Sequence, residues 1–190
     1  MTKGTRKVFF PLLLLMNTQP LLAELKSSVE FRSAAFFHTS ERFREIYGTV
    51  GASYQLEGST KLCSHFDGWA NVDWFSQHGK SIGLHDPTKI SIFNMSLGIK
   101  YPYQFHKHFA AYIGIGPSLA RVWLTNKSPF GEQNISQWTV GGVLKTGLDC
   151  YINKYLFIDI FADYLYQPCN YKTSVDLGGL KLGAGIGSRF

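Results

Sequence analysis

The chain has 190 residues and a formal net charge of +6, from 19 Lys and Arg against 13 Asp and Glu. Three of those cations lie before residue 24, in a segment without acids, so the remainder carries only +3. Hydrophobic residues make up 45% of the sequence, yet no apolar run after residue 23 reaches the ~20 residues of a membrane-spanning helix. These values exclude an anchor of transmembrane helices. They also exclude a nucleic-acid-binding protein, which needs a cluster of Lys and Arg.

The first 23 residues have the pattern of a secretory signal peptide. Cations precede an apolar run over residues 8–16, and polar and small residues lead from there to Ala23. The run is too short to span a membrane, and Pro11 interrupts it. We therefore predict a signal peptide over residues 1–23, cleaved after Ala23, and one exported domain over residues 24–190.

Eight later segments alternate apolar and polar residues with a period of two. Successive side chains of a β-strand point to opposite faces, so such a segment faces two different environments. The last segment shows this clearly, because Leu182 and Ile186 share one face while Lys181 and Arg189 share the other. The predicted strands cover residues 28–39, 45–57, 61–77, 88–101, 108–124, 137–151, 155–167 and 180–190.

Short and long connections alternate between these strands, as in transmembrane barrels. The first two strands are predicted to form a hairpin across residues 40–44. Tight turns are expected at 58–60, near Gln104 and at 152–154, and longer loops at 78–87, 126–136 and 168–174. Along the fifth strand the apolar residues stand at odd-numbered positions before Gly116 and Pro117 and at even-numbered positions after them. This change of face predicts a β-bulge at that step.

The pattern predicts an all-β protein, an eight-stranded antiparallel up-and-down transmembrane β-barrel. One face of each strand would contact lipid and the other would fill the interior. Asp159 and Asp163 are expected to meet Lys145 and Lys181, because buried charges need partners and sequential strands are neighbours. These charges either plug the interior or form an ion or proton path; a plug is favoured, since eight strands leave little room. The predicted interior charges are Glu30, Arg32, Asp73, Lys100, Lys145, Asp149, Asp159, Asp163, Lys181 and Arg189.

The eight-strand pattern, the segment Tyr112-Ile113-Gly114-Ile115-Gly116-Pro117 and the terminal Phe190 together resemble the small OmpA/OmpX-like family of outer-membrane barrels. The resemblance implies an integral protein of the bacterial outer membrane, in a Gram-negative cell, surrounded by outer-membrane lipid. It also implies that the outer-membrane assembly machinery recognises Phe190. The peptidoglycan-binding domain of some members is not expected here, because the sequence ends with the eighth strand.

Few residues suggest chemistry. His38 and Ser40 are similar to the histidine and serine of barrels that deacylate lipid A, but alternation places His38 on the interior face and no acid is positioned to orient it. His106 and His108 would bind a metal only with a third ligand. Cys63, Cys150 and Cys169 allow one disulfide at most.

We therefore predict no catalytic, cofactor-binding or metal site and no enzymatic activity. The predicted function is structural, or an interaction at the cell surface in which the external loops contact a ligand or a host surface. A lipid-modifying outer-membrane enzyme and a narrow pore are the alternatives. Nucleic acid is not an expected partner.

Overall fold

The structure, a computed structural model, describes residues 27–81, 86–128, 131–171 and 173–190. The predicted signal peptide over residues 1–23 lies outside the described residues and stays a prediction. Among the described residues, no helix is long and apolar enough to cross a membrane.

Ten strands and one short helix make up the described part of the chain. They are β1 Ser27–His38, α1 Glu41–Tyr47, β2 Val50–Lys61, β3 Asp67–Lys80, β4 Pro87–His106, β5 Phe109–Ser128, β6 Gly131–Tyr151, β7 Leu156–Tyr166, β8 Pro168–Tyr171, β9 Thr173–Asp176 and β10 Gly179–Arg189. Eight strands close a barrel in the order β1-β10-β7-β6-β5-β4-β3-β2, with every pair antiparallel. The pair β8 and β9 forms a separate hairpin. The predicted eight-stranded antiparallel barrel is confirmed.

Alternation along the strands separates an apolar exterior from a polar interior. Leu97 is 63% exposed and Val140 68% exposed on the outside, whereas Arg32 is 0% exposed inside. A continuous band of exposed large apolar side chains is unfavourable in water and suits the hydrocarbon of a membrane. The exterior is therefore that of a transmembrane barrel.

The two ends of the barrel differ. The turn end carries the short connections at residues 62–66, 107–108 and 152–155, and here the backbone of Ser27 bonds to that of Phe190. The loop end carries α1 and the β8–β9 hairpin. The predicted turn at 58–60 is wrong, since these residues continue β2. The predicted loop over 126–136 is also largely strand, because β5 extends to Ser128 and β6 begins at Gly131.

β1 and β2 pair as an antiparallel hairpin, as predicted, but their connection is longer than residues 40–44 and contains a helix over residues 41–47. Phe43 and Tyr47 lie four residues apart and are both buried, which is the spacing of one helical face. Ser40 stands at the N-cap position and Glu41 in the first turn, where an acid is favourable. Gly48 ends the helix with a φ of 91°, a conformation that favours glycine.

The predicted bulge at residues 116–117 is wrong. Pro117 pairs with Gly142 in an unbroken β5–β6 register, and the register shift between β4 and β5 lies instead between Gln104 and His106. Ala120 and Val122 point inward and are buried. The apolar parity therefore changes because the interior itself becomes apolar toward the loop end.

Candidate functional site

Arg32 lies at the centre of a buried ion network near the middle of the barrel. β1 directs it inward, and closure of the barrel brings it beside acids from β2 and β7. Its Nε donates to Asp159 Oδ2 at 2.8 Å, and its Nη1 lies 3.3 Å from Glu57 Oε2 and 3.2 Å from Asp163 Oδ2. Glu30 Oε1 lies 3.5 Å from Nε. One guanidinium therefore faces four carboxylates.

Aromatic side chains complete the surroundings of Arg32. The Phe161 ring centroid lies 4.0 Å from its Cζ, and Arg32 Nη2 donates to the Tyr112 hydroxyl. That hydroxyl donates in turn to Asp159 Oδ1 at 3.1 Å. Tyr112 thus links the cation to one of its own acids.

Three lysines extend the network. Lys145 donates to Glu57 and lies 3.2 Å from Asp163 Oδ2, while Lys100 Nζ donates to Glu57 Oε1 at 3.2 Å. The sequence predicts that Lys181 lies beside Asp163 on the neighbouring strand, and these two residues are paired in the β10–β7 register. Its ammonium instead bonds to Asp73 on β3, across the interior. Asp163 is already shared by Arg32 and Lys145, so Asp73 is the partner that still needs a cation.

Glu57 and Tyr112 are the members of the network that sequence reasoning did not include. Glu57 is 1% exposed and accepts bonds from three cations. Alternation along β2 already placed it on the inward face, so a signal was present. Arg189, in contrast, lies away from the network at the turn end, with its Cζ 4.6 Å from the centre of the Tyr151 ring.

The network fills the interior between the two ends. Arg32, Lys145 and Asp159 are each at most 1% exposed, and an eight-stranded barrel has an interior just wide enough for side chains to fill. Charges buried in this way are tolerated only when paired, because an unpaired buried charge costs several kcal/mol. A polar vestibule of about 290 Å³ lies on the turn side and has Lys100, Asp149 and Arg189 among its lining residues.

The interior on the loop side is apolar, in contrast to the ion network in the middle of the barrel. Its buried side chains come from several strands, the helix and the segment after β9: Phe36, Phe43, Tyr47, Phe75, Ile90, Ile92, Ala120, Val122, Leu165 and Leu177. The inward run of Ala120, Val122 and Leu124 was the sequence signal for this half of the interior.

Helix α1 is seated against the loop end by specific contacts. The Tyr47 hydroxyl lies 3.1 Å from Thr88 Oγ1, and the Gln77 amide donates to the Tyr47 carbonyl. Gly79 allows the close approach, because a Cβ there would lie 2.1 Å from the Ile46 carbonyl oxygen. Burial raises the pKa of the Tyr47 phenol, an effect that the hydrogen bond to Thr88 opposes.

Between α1 and the β8–β9 hairpin lies a cavity of about 500 Å³, which we call the cup. Its lining is mainly apolar, with Arg42, Asn126 and a few other polar residues among it. Burial raises the pKa of the Cys169 thiol in its wall, which favours the neutral form. The lining consists of Arg42, Phe43, Ile46, Tyr47, Ser81, Thr88, Ile90, Val122, Leu124, Asn126, Ile135, Gln137, Cys169, Val175 and Leu177.

His38 lies inward, beneath α1. Its ring centroid is 3.9 Å from that of Phe43 and 4.2 Å from that of Phe36, and among the described residues neither ring nitrogen has a hydrogen-bond partner. Ser40 precedes α1 and its side chain forms no capping bond. The structure therefore does not assemble a base, an orienting acid and a nucleophile at this position.

The remaining sequence candidates lie apart from the cup and the network. His106, the last residue of β4, and His108, in the turn that follows, are both exposed, with ring centroids 5.8 Å apart. Within the described ranges, no group of three or more His, Cys, Asp or Glu could hold a metal ion. Cys63, Cys150 and Cys169 are free thiols.

Comparison with known proteins rests on the fold. No protein-family model matches the sequence, and no curated protein matches it. Neisserial surface protein A has a crystal structure that matches with a TM-score of 0.60 at 15% identity, over 87% of this chain and 97% of that one. The fold is that of an outer-membrane barrel.

Two further solved structures agree. OprG from Pseudomonas aeruginosa matches with a TM-score of 0.60 at 13% identity, over 87% of this chain and 95% of that one. Ail, the attachment invasion locus protein of Yersinia pestis, solved with the heparin analogue sucrose octasulfate, matches with a TM-score of 0.52 at 15% identity, over 87% and 97%. The class-level resemblance to small eight-stranded outer-membrane barrels is confirmed.

Proposed function

We propose that this protein is an integral barrel of a bacterial outer membrane, closed to conduction, that acts at the cell surface by binding a small, mainly apolar ligand in the cup. The turn end would face the periplasm and the loop end the exterior, the usual arrangement of short turns and longer loops. Removal of residues 1–23 and recognition of Phe190 by the assembly machinery are part of the proposal. Phe190 is 74% exposed at the turn end, where such a machinery could contact it.

The cup is the observation that carries the proposal. Its volume of about 500 Å³ lies within the range of ligand pockets, which are mostly apolar with a few placed polar groups. Asn126 provides such a group, because its Oδ1 is buried without a hydrogen-bond partner among the described residues. A ligand that donates one hydrogen bond and is otherwise apolar would suit this lining.

The ion network argues against a pore and therefore favours a function at the loop end. An ion crossing the barrel would have to separate Arg32 from Asp159 and Lys145 from Glu57, all of them buried. Breaking buried pairs of this kind costs several kcal/mol each.

Protection of Cys169 tests the cup. In a variant with Cys63→Ser and Cys150→Ser, Cys169 is the only thiol, and its reaction with a maleimide is followed in lipid nanodiscs at alkaline pH, since burial disfavours its thiolate. With 1-decanol as the probe, whose hydroxyl can donate to Asn126 Oδ1, we expect a saturable, several-fold slowing of the reaction. The variant Ile46→Trp, which fills the cup from α1, should abolish the slowing.

The matched control places a single cysteine outside the cup. Glu41→Cys, in a background that lacks the three native cysteines, carries an exposed thiol on the same helix. The decanol should leave its rate unchanged. Equal slowing of both thiols, or no slowing of Cys169, would contradict the proposed ligand site.

A further inference from the structure

The outer surface of the barrel carries a cationic patch near the loop end. Among the outward-facing barrel-strand positions whose side chains the structure describes, the charged residues are Lys80, Lys89 and Arg121, and all are cations. They lie on three successive strands, β3 to β5. The ion network does not use these residues, and they do not line the cup.

Arg121 is held in a defined position on this surface. Its Cζ lies 5.1 Å from the ring centroid of Trp123 and 5.4 Å from that of Trp138. Its Nε donates to Ser136 Oγ at 3.3 Å. Two indoles and a hydroxyl thus orient one guanidinium on the membrane-facing side of the barrel, which reduces the entropy lost when it binds a ligand.

Arg121 lies at the height along the barrel where the hydrocarbon of the membrane meets the lipid headgroups. Toward the middle of the barrel the next outward pair is Leu119 and Val140, both exposed and apolar. Toward the loop end the outward pair of Thr125 and Asn134 is polar, and their side chains bond at 2.9 Å. Tryptophan favours the boundary between hydrocarbon and water, so Arg121 lies where lipid headgroups begin.

We infer that Arg121, assisted by Lys89, binds the phosphate of a phosphorylated lipid headgroup in the outer leaflet. The inference rests on the proposed orientation of the barrel in the outer membrane. A guanidinium presents a planar fork that matches phosphate oxygens, and a charge-assisted bond is stronger than a neutral one. Lys89 pairs with Thr125, four residues from Arg121 on β5, so the Cα atoms of Lys89 and Arg121 are about 14 Å apart, from about 13 Å along the strand and about 5 Å across it. Their long side chains can reach two phosphates of one headgroup.

The direction of the patch favours a lipid over a soluble polyanion. Arg121 points sideways from the barrel, beside the exposed indole of Trp138, and is not part of the loop-end rim. Only a molecule that lies in the membrane plane approaches that surface. A soluble anion would instead meet Arg42 and Arg44, which are exposed on α1 at the loop end.

Native mass spectrometry of the full chain in detergent tests the site. The lipids are bisphosphorylated lipid A, the same lipid A after enzymatic dephosphorylation, and phosphatidylglycerol. We expect the wild type to retain phosphorylated lipid A, and Arg121→Gln to weaken its apparent affinity by about tenfold, the effect of losing one charge-assisted bond. Arg121→Lys should lose less.

Lys154→Gln is the matched control, because Lys154 is an exposed cation beside an aromatic ring, 4.9 Å from the centre of Tyr155, but at the turn end. It should bind lipid A as the wild type does. Equal retention of dephosphorylated lipid A, wild-type affinity in Arg121→Gln, or an equal loss in Lys154→Gln would overturn the inference. Ile46→Trp, which fills the cup, should still retain lipid A. Loss of ligand binding in the cup and loss of lipid A binding at Arg121 therefore give different results.

Discussion

Replacing Arg32 with Met should destabilise the barrel by about 3–5 kcal/mol at neutral pH, the cost of removing one partner from a buried ion pair. Glu57 would keep Lys100 and Lys145, and Asp163 would keep Lys145. Glu30 and Asp159, however, have no other cation within ion-pair distance among the described residues. The variant therefore leaves two buried carboxylates uncompensated.

Urea unfolding in lipid vesicles, followed by the fluorescence of the four tryptophans, measures this loss. The difference from wild type should shrink as pH falls, because protonation neutralises the two unpaired acids. Adding Glu30→Gln and Asp159→Asn to the variant should restore most of the stability, while Lys154→Met, at an exposed turn, should cost almost nothing. A loss below about 1 kcal/mol, the range of exposed ion pairs, or a loss without rescue would refute the argument.

Three further outcomes are expected. His38→Phe should stabilise the barrel by about 1–2 kcal/mol in the same assay, because it removes from an aromatic cluster two buried nitrogens that have no hydrogen-bond partner among the described residues. A destabilised variant would contradict this expectation. Gly79→Ala should displace α1 and abolish the protection of Cys169 by 1-decanol, while Gly58→Ala, whose Cβ would meet only Ser28 O at 3.9 Å, should not. Wild-type protein in planar bilayers should show no steady conductance, and a stable ion current would contradict the plugged interior.

The barrel was predictable because its pattern is local. In β7, Ile158 and Ile160 alternate with Asp159 and Asp163, and the period of two alone determines which residues point outward. Strand ends were less predictable: the run Gly58 to Thr60 has turn residues, but pairing with β1 and β3 keeps it in a strand. Helix α1 was missed because its apolar residues also fit a short alternating segment.

Contacts across the interior depend on closure and register, which no single segment encodes. Lys181 reaches Asp73 over a sequence separation of 108 residues, although Asp163 is its neighbour on the adjacent strand. The cup likewise needs α1, three barrel strands and the β8–β9 hairpin to meet at one end. The only sequence signal for the cup is the pair of inward apolar residues Ala120 and Val122. The same pattern is also expected where a β-bulge exchanges the inward and outward faces of a strand.

Labelling of single cysteines in intact cells tests the central claim most directly. Glu41→Cys, in a background without the native cysteines, marks the loop end, and Cys63 retained as the only cysteine marks the turn end, where it is exposed. A large, membrane-impermeant maleimide should label Glu41→Cys in intact cells and Cys63 only after the outer membrane is disrupted. Labelling of Cys63 in intact cells, or recovery of the protein in the soluble fraction without detergent, would contradict an outer-membrane barrel with its loop end at the cell surface.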